Sequence, residues 1–100
     1  MGRRLRYARP AERDLASIYA HIRDSNQDPI VAAGYLRRIR ARCDSLVDFP
    51  EQGRHRPDLG RGIRTLGFER RVLIVFRSDA KWVEVVRVLY GGRSFGPVEP

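Results

Sequence analysis

The strongest constraint on this chain is a change of hydrophobic rhythm near its middle. Before Pro50, apolar residues recur every three or four positions; after it, they gather in short β-branched and aromatic runs. The first period matches one face of a helix, and the second matches a pleated strand. Helices therefore precede most of the strands. That order signals an α+β domain rather than alternating β-α units.

Local signals refine this layout. In "RRLRYA", residues 3–8, Leu5 and Tyr7 alternate with Arg4 and Arg6, which is the pattern of a short strand. Pro10 suits the first turn of a helix, with Glu12 and Asp14 near its positive end. Ala11, Leu15, Ile18, Tyr19 and Ile22 form one apolar stripe, and "SNQD" ends the helix. Asp28-Pro29 is a start signal for a second helix, with Asp28 as cap. Its stripe is Ala32, Leu36, Ile39, Cys43 and Leu46, and Pro50 is expected to stop it. Two amphipathic helices with a short polar loop predict an antiparallel αα-hairpin.

Beyond Pro50, "GIRTLGF" is a candidate strand, and "RRVLIVF" and "WVEVVRVLY" are firm ones. "RSDAK" supplies the hairpin turn between the last two. Their near-continuous apolar character predicts cover on both faces. The tail "GGRSFGPVEP" reads as loop. The expected order is β-α-α-β-β-β, with the helical hairpin on one face of a small antiparallel sheet. One hundred residues allow one domain, 1–100, and leave little room for a second core.

Composition narrows the function classes. One cysteine, Cys43, rules out an internal disulfide framework, and no His/Cys cluster offers a zinc ligand set. No metal or other cofactor is expected. A reducing cytoplasm suits this usage. No apolar run approaches the roughly 18 residues that span a bilayer, and the basic start, residues 1–10, has no apolar stretch of the kind a secretory signal needs. The net charge is +8, and every basic residue except Lys81 is arginine. Codon usage accounts for Arg over Lys. The excess of 20 basic over 12 acidic residues points to an acidic partner or nucleic acid.

Much of that charge sits in "FPEQGRHRPDLGRGIR", residues 49–64, where Pro50, Pro57, Gly53, Gly60 and Gly62 exclude a helix. The segment is either the plain route from hairpin to sheet or a rigid display of arginines. Arg64, Arg71, Arg87 and Arg93 lie on or beside the strands, and Arg61 belongs to the connector. Planar guanidinium suits carboxylate and phosphate alike. Tyr90 is expected to pack in the core or at an interface. His55 is a lone histidine between two arginines, and His21 is expected on a helix surface. Glu84 is expected to face solvent or to pair with an arginine such as Arg71 or Arg87.

Taken in order, "YARPAERDLASIYAHI", "DPIVAAGYLRRIRARCDSL", "FPEQGRHRPDLGRGIRTL", "RRVLIVFR" and "VEVVRVLYGGRSF" resemble the RelE/ParE superfamily of type II toxins, and its ParE branch most. The resemblance covers nearly the whole chain. It implies a cytoplasmic toxin neutralised by a cognate antitoxin with an acidic, partly disordered tail that wraps it in a hetero-oligomeric complex. For ParE members it implies inhibition of DNA gyrase; for RelE members, ribosome-dependent cleavage of messenger RNA. The RelE branch carries a Tyr-Arg pair where Val72 and Leu73 stand here. Arg70 and Arg71 are out of step with it, and one residue of slip turns a strand side chain to the other face. Arg93 matches an arginine common to both branches. The expectation is therefore a non-enzymatic toxin with no catalytic residues, whose contacts to target or antitoxin come from Arg61, Arg64, Arg71, Arg87, Tyr90 and Arg93. The RelE-type endonuclease is the alternative.

Overall fold

The structure, a computed structural model, describes residues 2–91. Its elements are β1 (Arg4–Tyr7), α1 (Arg9–Asn26), α2 (Pro29–Asp44), β2 (Arg54–His55), β3 (Arg64–Phe68), β4 (Val72–Ser78) and β5 (Trp82–Tyr90). Two helices lie against one five-stranded sheet of order β1-β5-β4-β3-β2. The α+β class and the helical hairpin are as the sequence predicts. The short β2, within the charged connector, is an addition to the expected order.

Each helix start has a local cause. Pro10 and Glu12 occupy the first turn of α1. In α2, the Asp28 carboxylate accepts the Ile30 N–H at 2.9 Å, one of the donors a helix start leaves unpaired. Gln27 turns the corner between the helices with φ 53°, its N–H bonded to the Arg23 carbonyl. The α1 stripe buries Ala11, Leu15, Ile18 and Ile22 as expected. On α2 the buried set is Ala32, Tyr35, Ile39 and Cys43, with Leu36 only half-buried.

The second helix ends at Asp44, six residues before the proline expected to stop it. Leu46 and Val47 bond back to the Cys43 and Asp44 carbonyls, a tightening into 3₁₀-like turns that swings Leu46 fully into the core. The Ser45 hydroxyl donates to the Arg42 carbonyl, and the Gln52 amide donates to the Ser45 and Phe49 carbonyls. Side chains thus satisfy the helix end before Pro50 is reached.

Strands β2 to β5 pair antiparallel, whereas β1 runs parallel to β5, with Arg4 opposite Trp82 and Tyr7 opposite Val85. Parallel neighbours require a crossover connection, and the long path through the helical hairpin provides it. The sheet is therefore mixed at one edge. Leu15, Ile18 and Ile39 meet Val72, Ile74, Phe76, Val83, Val85 and Val88 between helices and sheet. On the opposite face Leu59 and Ile63 of the connector cover Val75, Val86 and Leu89. Both faces of β4 and β5 are closed there, which is why those strands are apolar almost throughout.

The connector is fixed as well as covering. Gly53 sits at φ 79°, and a Cβ added there would collide with the Thr65 carbonyl. Arg56 N–H bonds to the Ile63 carbonyl, and Ile63 N–H bonds to the Gly60 carbonyl. One further contact joins sheet and helix. β1 stops at Tyr7, leaving the later part of the β5 edge without a strand; there the Asp14 carboxylate accepts the Val88 N–H at 2.9 Å. Asp14 stands in for a missing strand residue.

Candidate binding site at the loop end of the helical hairpin

Where α1 ends and α2 begins, the hairpin and the sheet enclose an open groove of about 670 Å³. Its size falls in the usual range for ligand and peptide sites. The lip is aliphatic: Ile30 and Val31, just inside the α2 start, are 79% and 48% exposed. They lie off the buried stripe, so no core claims them. The floor is aromatic. Tyr90, the last residue of β5, meets the His21 ring at 5.4 Å and Tyr35 edge-on at 6.3 Å, and Tyr35 meets Phe68 at 6.1 Å. These separations suit tilted aromatic pairs. Tyr35 is nearly buried, and its hydroxyl has no hydrogen-bond partner among the described residues. Burial, then the Glu69 charge, hold its pKa above the usual phenol value.

Two arginines supply the charge. Arg38 lies over the Tyr35 ring at 5.1 Å and forks onto Glu69 at 2.9 and 3.2 Å. The Arg38 hydrogen bond holds the Glu69 carboxyl below its ordinary pKa. Glu69 and Arg70 both have positive φ, 48° and 63°, in the tight turn closed by Arg71 N–H to the Phe68 carbonyl. That turn presents Arg71 to the groove, where it makes no ion pair with any described residue. The Gly91 N–H, bonded to the Arg71 carbonyl at 3.0 Å, ties Tyr90 and Arg71 to one rim.

The sequence-derived candidates thus divide. Arg71 and Tyr90 come together in the groove. Arg64 begins β3, about 13 Å at strand rise from Phe68 at its other end, and Arg61 lies in the connector before it. Arg61 is exposed, and Arg64 donates to the Glu51 carbonyl at 3.0 Å. Arg87 forks onto Asp14 at 2.7 and 3.0 Å, so its guanidinium holds β5 to α1. Arg93 lies outside the described residues. Glu84 pairs with arginine as expected, and its partners are Arg6 and Arg77. His55 is exposed on β2, and His21 packs on Tyr90 in the groove. Tyr35, Arg38, Ile30 and Val31 are site residues that the sequence reading does not single out. The apolar pair directly after the Asp28 cap was the available signal.

Among the described residues no group of three or more His, Cys, Asp or Glu side chains is placed to hold a metal ion, and no helix is long and apolar enough to cross a membrane. Comparison with known proteins adds the family. The model of the ParE toxin of type II toxin–antitoxin systems matches residues 5–95. The chain belongs to the ParE toxin family. Toxin ParE3 of Caulobacter vibrioides is 33% identical over 91 residues, which are 91% of this chain and 88% of that protein. Among solved structures, the chromosomal ParDE TA system from P. aeruginosa contains a chain with TM-score 0.74 and 29% identity. The match covers 88% of this chain and 95% of that one. The two-helix, mixed-sheet architecture is therefore a ParE toxin architecture.

Proposed function

We propose that this ParE-family toxin acts by binding and not by breaking a covalent bond. Its target is DNA gyrase, and a cognate antitoxin holds it inactive in a cytoplasmic hetero-oligomer. The observation that carries the binding mode is the groove. It offers an aliphatic lip, an aromatic floor and a guanidinium, Arg71, that makes no ion pair among the described residues, with Tyr90 beside it. An amphipathic acidic segment meets each of these needs: apolar side chains cover Ile30 and Val31, and a carboxylate pairs with Arg71. Arg61, Arg64 and Arg93 extend the same kind of contact over a wrapping partner. Arg87 contributes by holding β5 in place. Among the described residues that line it, the groove holds no pair of side chains placed for proton transfer. His21 is its one imidazole, and that ring is packed on Tyr90.

A supercoiling assay with purified gyrase tests the target. The toxin should abolish supercoiling, and the purified antitoxin should restore it. Translating ribosomes with a defined message are the counter-assay. Codon-phased cleavage of that message would establish the RelE-type endonuclease instead.

A further inference from the structure

The outer face of the sheet has one end that the connector does not reach. Leu59 and Ile63 cover only Val75, Val86 and Leu89. At the other end Leu5, Tyr7, Val83 and Val85 point into the helix-side core. Alternation along the strands therefore turns Arg4, Arg6, Trp82 and Glu84 outward. The register sets Arg4 beside Trp82, Arg6 beside Glu84, and Arg77 beside Glu84 from the other side. The Arg6 and Arg4 guanidiniums lie over the Trp82 ring at 4.6 and 5.6 Å. Glu84 is shared between Arg6 at 3.3 Å and Arg77 at 3.1 Å. Arg4 and Arg6 are exposed, and Trp82 is half-exposed. The result is a flat strip with three guanidiniums, one carboxylate and one indole. Lys81 and Arg3 stand at its rim beside Asp79.

We propose that this strip binds single-stranded nucleic acid, two or three nucleotides at a time. The charge balance calls for an anionic partner. The indole between guanidiniums selects among anions, because bases stack on aromatic rings and on arginine planes, whereas an acidic peptide has no use for the ring. The dimensions agree. Arg4 and Arg6 are about 7 Å apart along β1, and Arg77 lies two strands away, about 9.5 Å across the sheet. Phosphates take Arg4 and Arg77, while a base stacks on the column of Trp82 and Arg6. Glu84 keeps Arg6 and Arg77 oriented. The strip is distinct from the groove, and its nucleic-acid contact does not depend on gyrase being the target.

Trp82 is the single tryptophan, so its fluorescence reports this site alone. The purified full-length toxin is titrated with a twelve-residue oligothymidylate at low salt. A twelve-base-pair duplex and poly-glutamate are run in parallel. The expected result is quenching by the single strand, weaker quenching by the duplex, and none by poly-glutamate. The slope of log affinity against log salt should be about −1.4, as for two phosphate contacts on a single strand. The Arg4→Ala/Arg6→Ala variant should bind at least roughly tenfold more weakly with unchanged circular dichroism, and Arg37→Ala on α2 should bind normally. If the double variant does not fold, Arg77→Ala is measured in its place, with the same loss expected. Absence of quenching, equal quenching by poly-glutamate, or full affinity in the folded variant would each overturn the proposal. The gyrase assay is separate, so the two readings can fail independently.

Discussion

At the residue scale, arginines of similar standing in the sequence have different fates. Arg87 and Arg71 are both strand-associated, yet one is locked onto Asp14 and the other faces the groove. The difference lies in a carboxylate more than seventy positions away in sequence from Arg87, which spacing cannot reveal. Replacing Asp14 with Ala should cost about 2–3 kcal/mol in urea unfolding, because it strands the Val88 N–H and loosens Arg87. Arg71→Ala should leave unfolding within about 0.5 kcal/mol while weakening antitoxin binding roughly tenfold in titration calorimetry. Cys43 gives a pH prediction. Burial pushes its thiol from 9.0 to about 11, and burial with the nearby Cys43 also raises the Tyr7 hydroxyl. In both cases the folded state keeps the proton longer than the unfolded chain. The associated stability is complete below pH 9 and is lost as pH rises. For Cys43 the loss is on the order of 2 kcal/mol by pH 11. Melting temperature measured from pH 8 to 11 should fall less steeply in Cys43→Ala than in the parent, after allowance for its lower starting value.

At the element scale, both helices, the last two strands and their joining turn were legible, since each is announced by strong periodicity or a clear cap. The α2 stripe holds at Ala32, Ile39, Cys43 and Leu46, and at one position the packing buries Tyr35 more deeply than Leu36. That one step, about 100° around a helix, hid the groove floor. The parallel β1–β5 pair was hidden because periodicity reports a strand and not its neighbour. The β3–β4 turn also went unseen, as Glu69 and Arg70 lack the Asn or Gly that such positive-φ turns prefer. Arg70 at φ 63° carries strain of about 1 kcal/mol, so Arg70→Gly should raise the melting temperature by a few degrees. Leaving Glu69 in place preserves its fork with Arg38. Gly53→Ala should act the other way, since the added methyl meets a backbone carbonyl that cannot yield.

At the scale of the whole molecule, the connector answers the question its composition raises. It is a lid for the far side of the sheet, with arginines on its outside and Leu59 and Ile63 beneath. Ile63→Ala should cost about 2–4 kcal/mol and weaken hydrogen-exchange protection across β4 and β5, because it opens the second face. The edge pair β1–β5 has a further consequence during synthesis. β1 has to wait for Trp82 to Val85, far downstream in the chain, before it can dock. A nascent chain interrupted anywhere earlier lacks the backbone that would seat its own beginning. A fragment that stops short of Trp82 therefore leaves β1 with no strand to pair with.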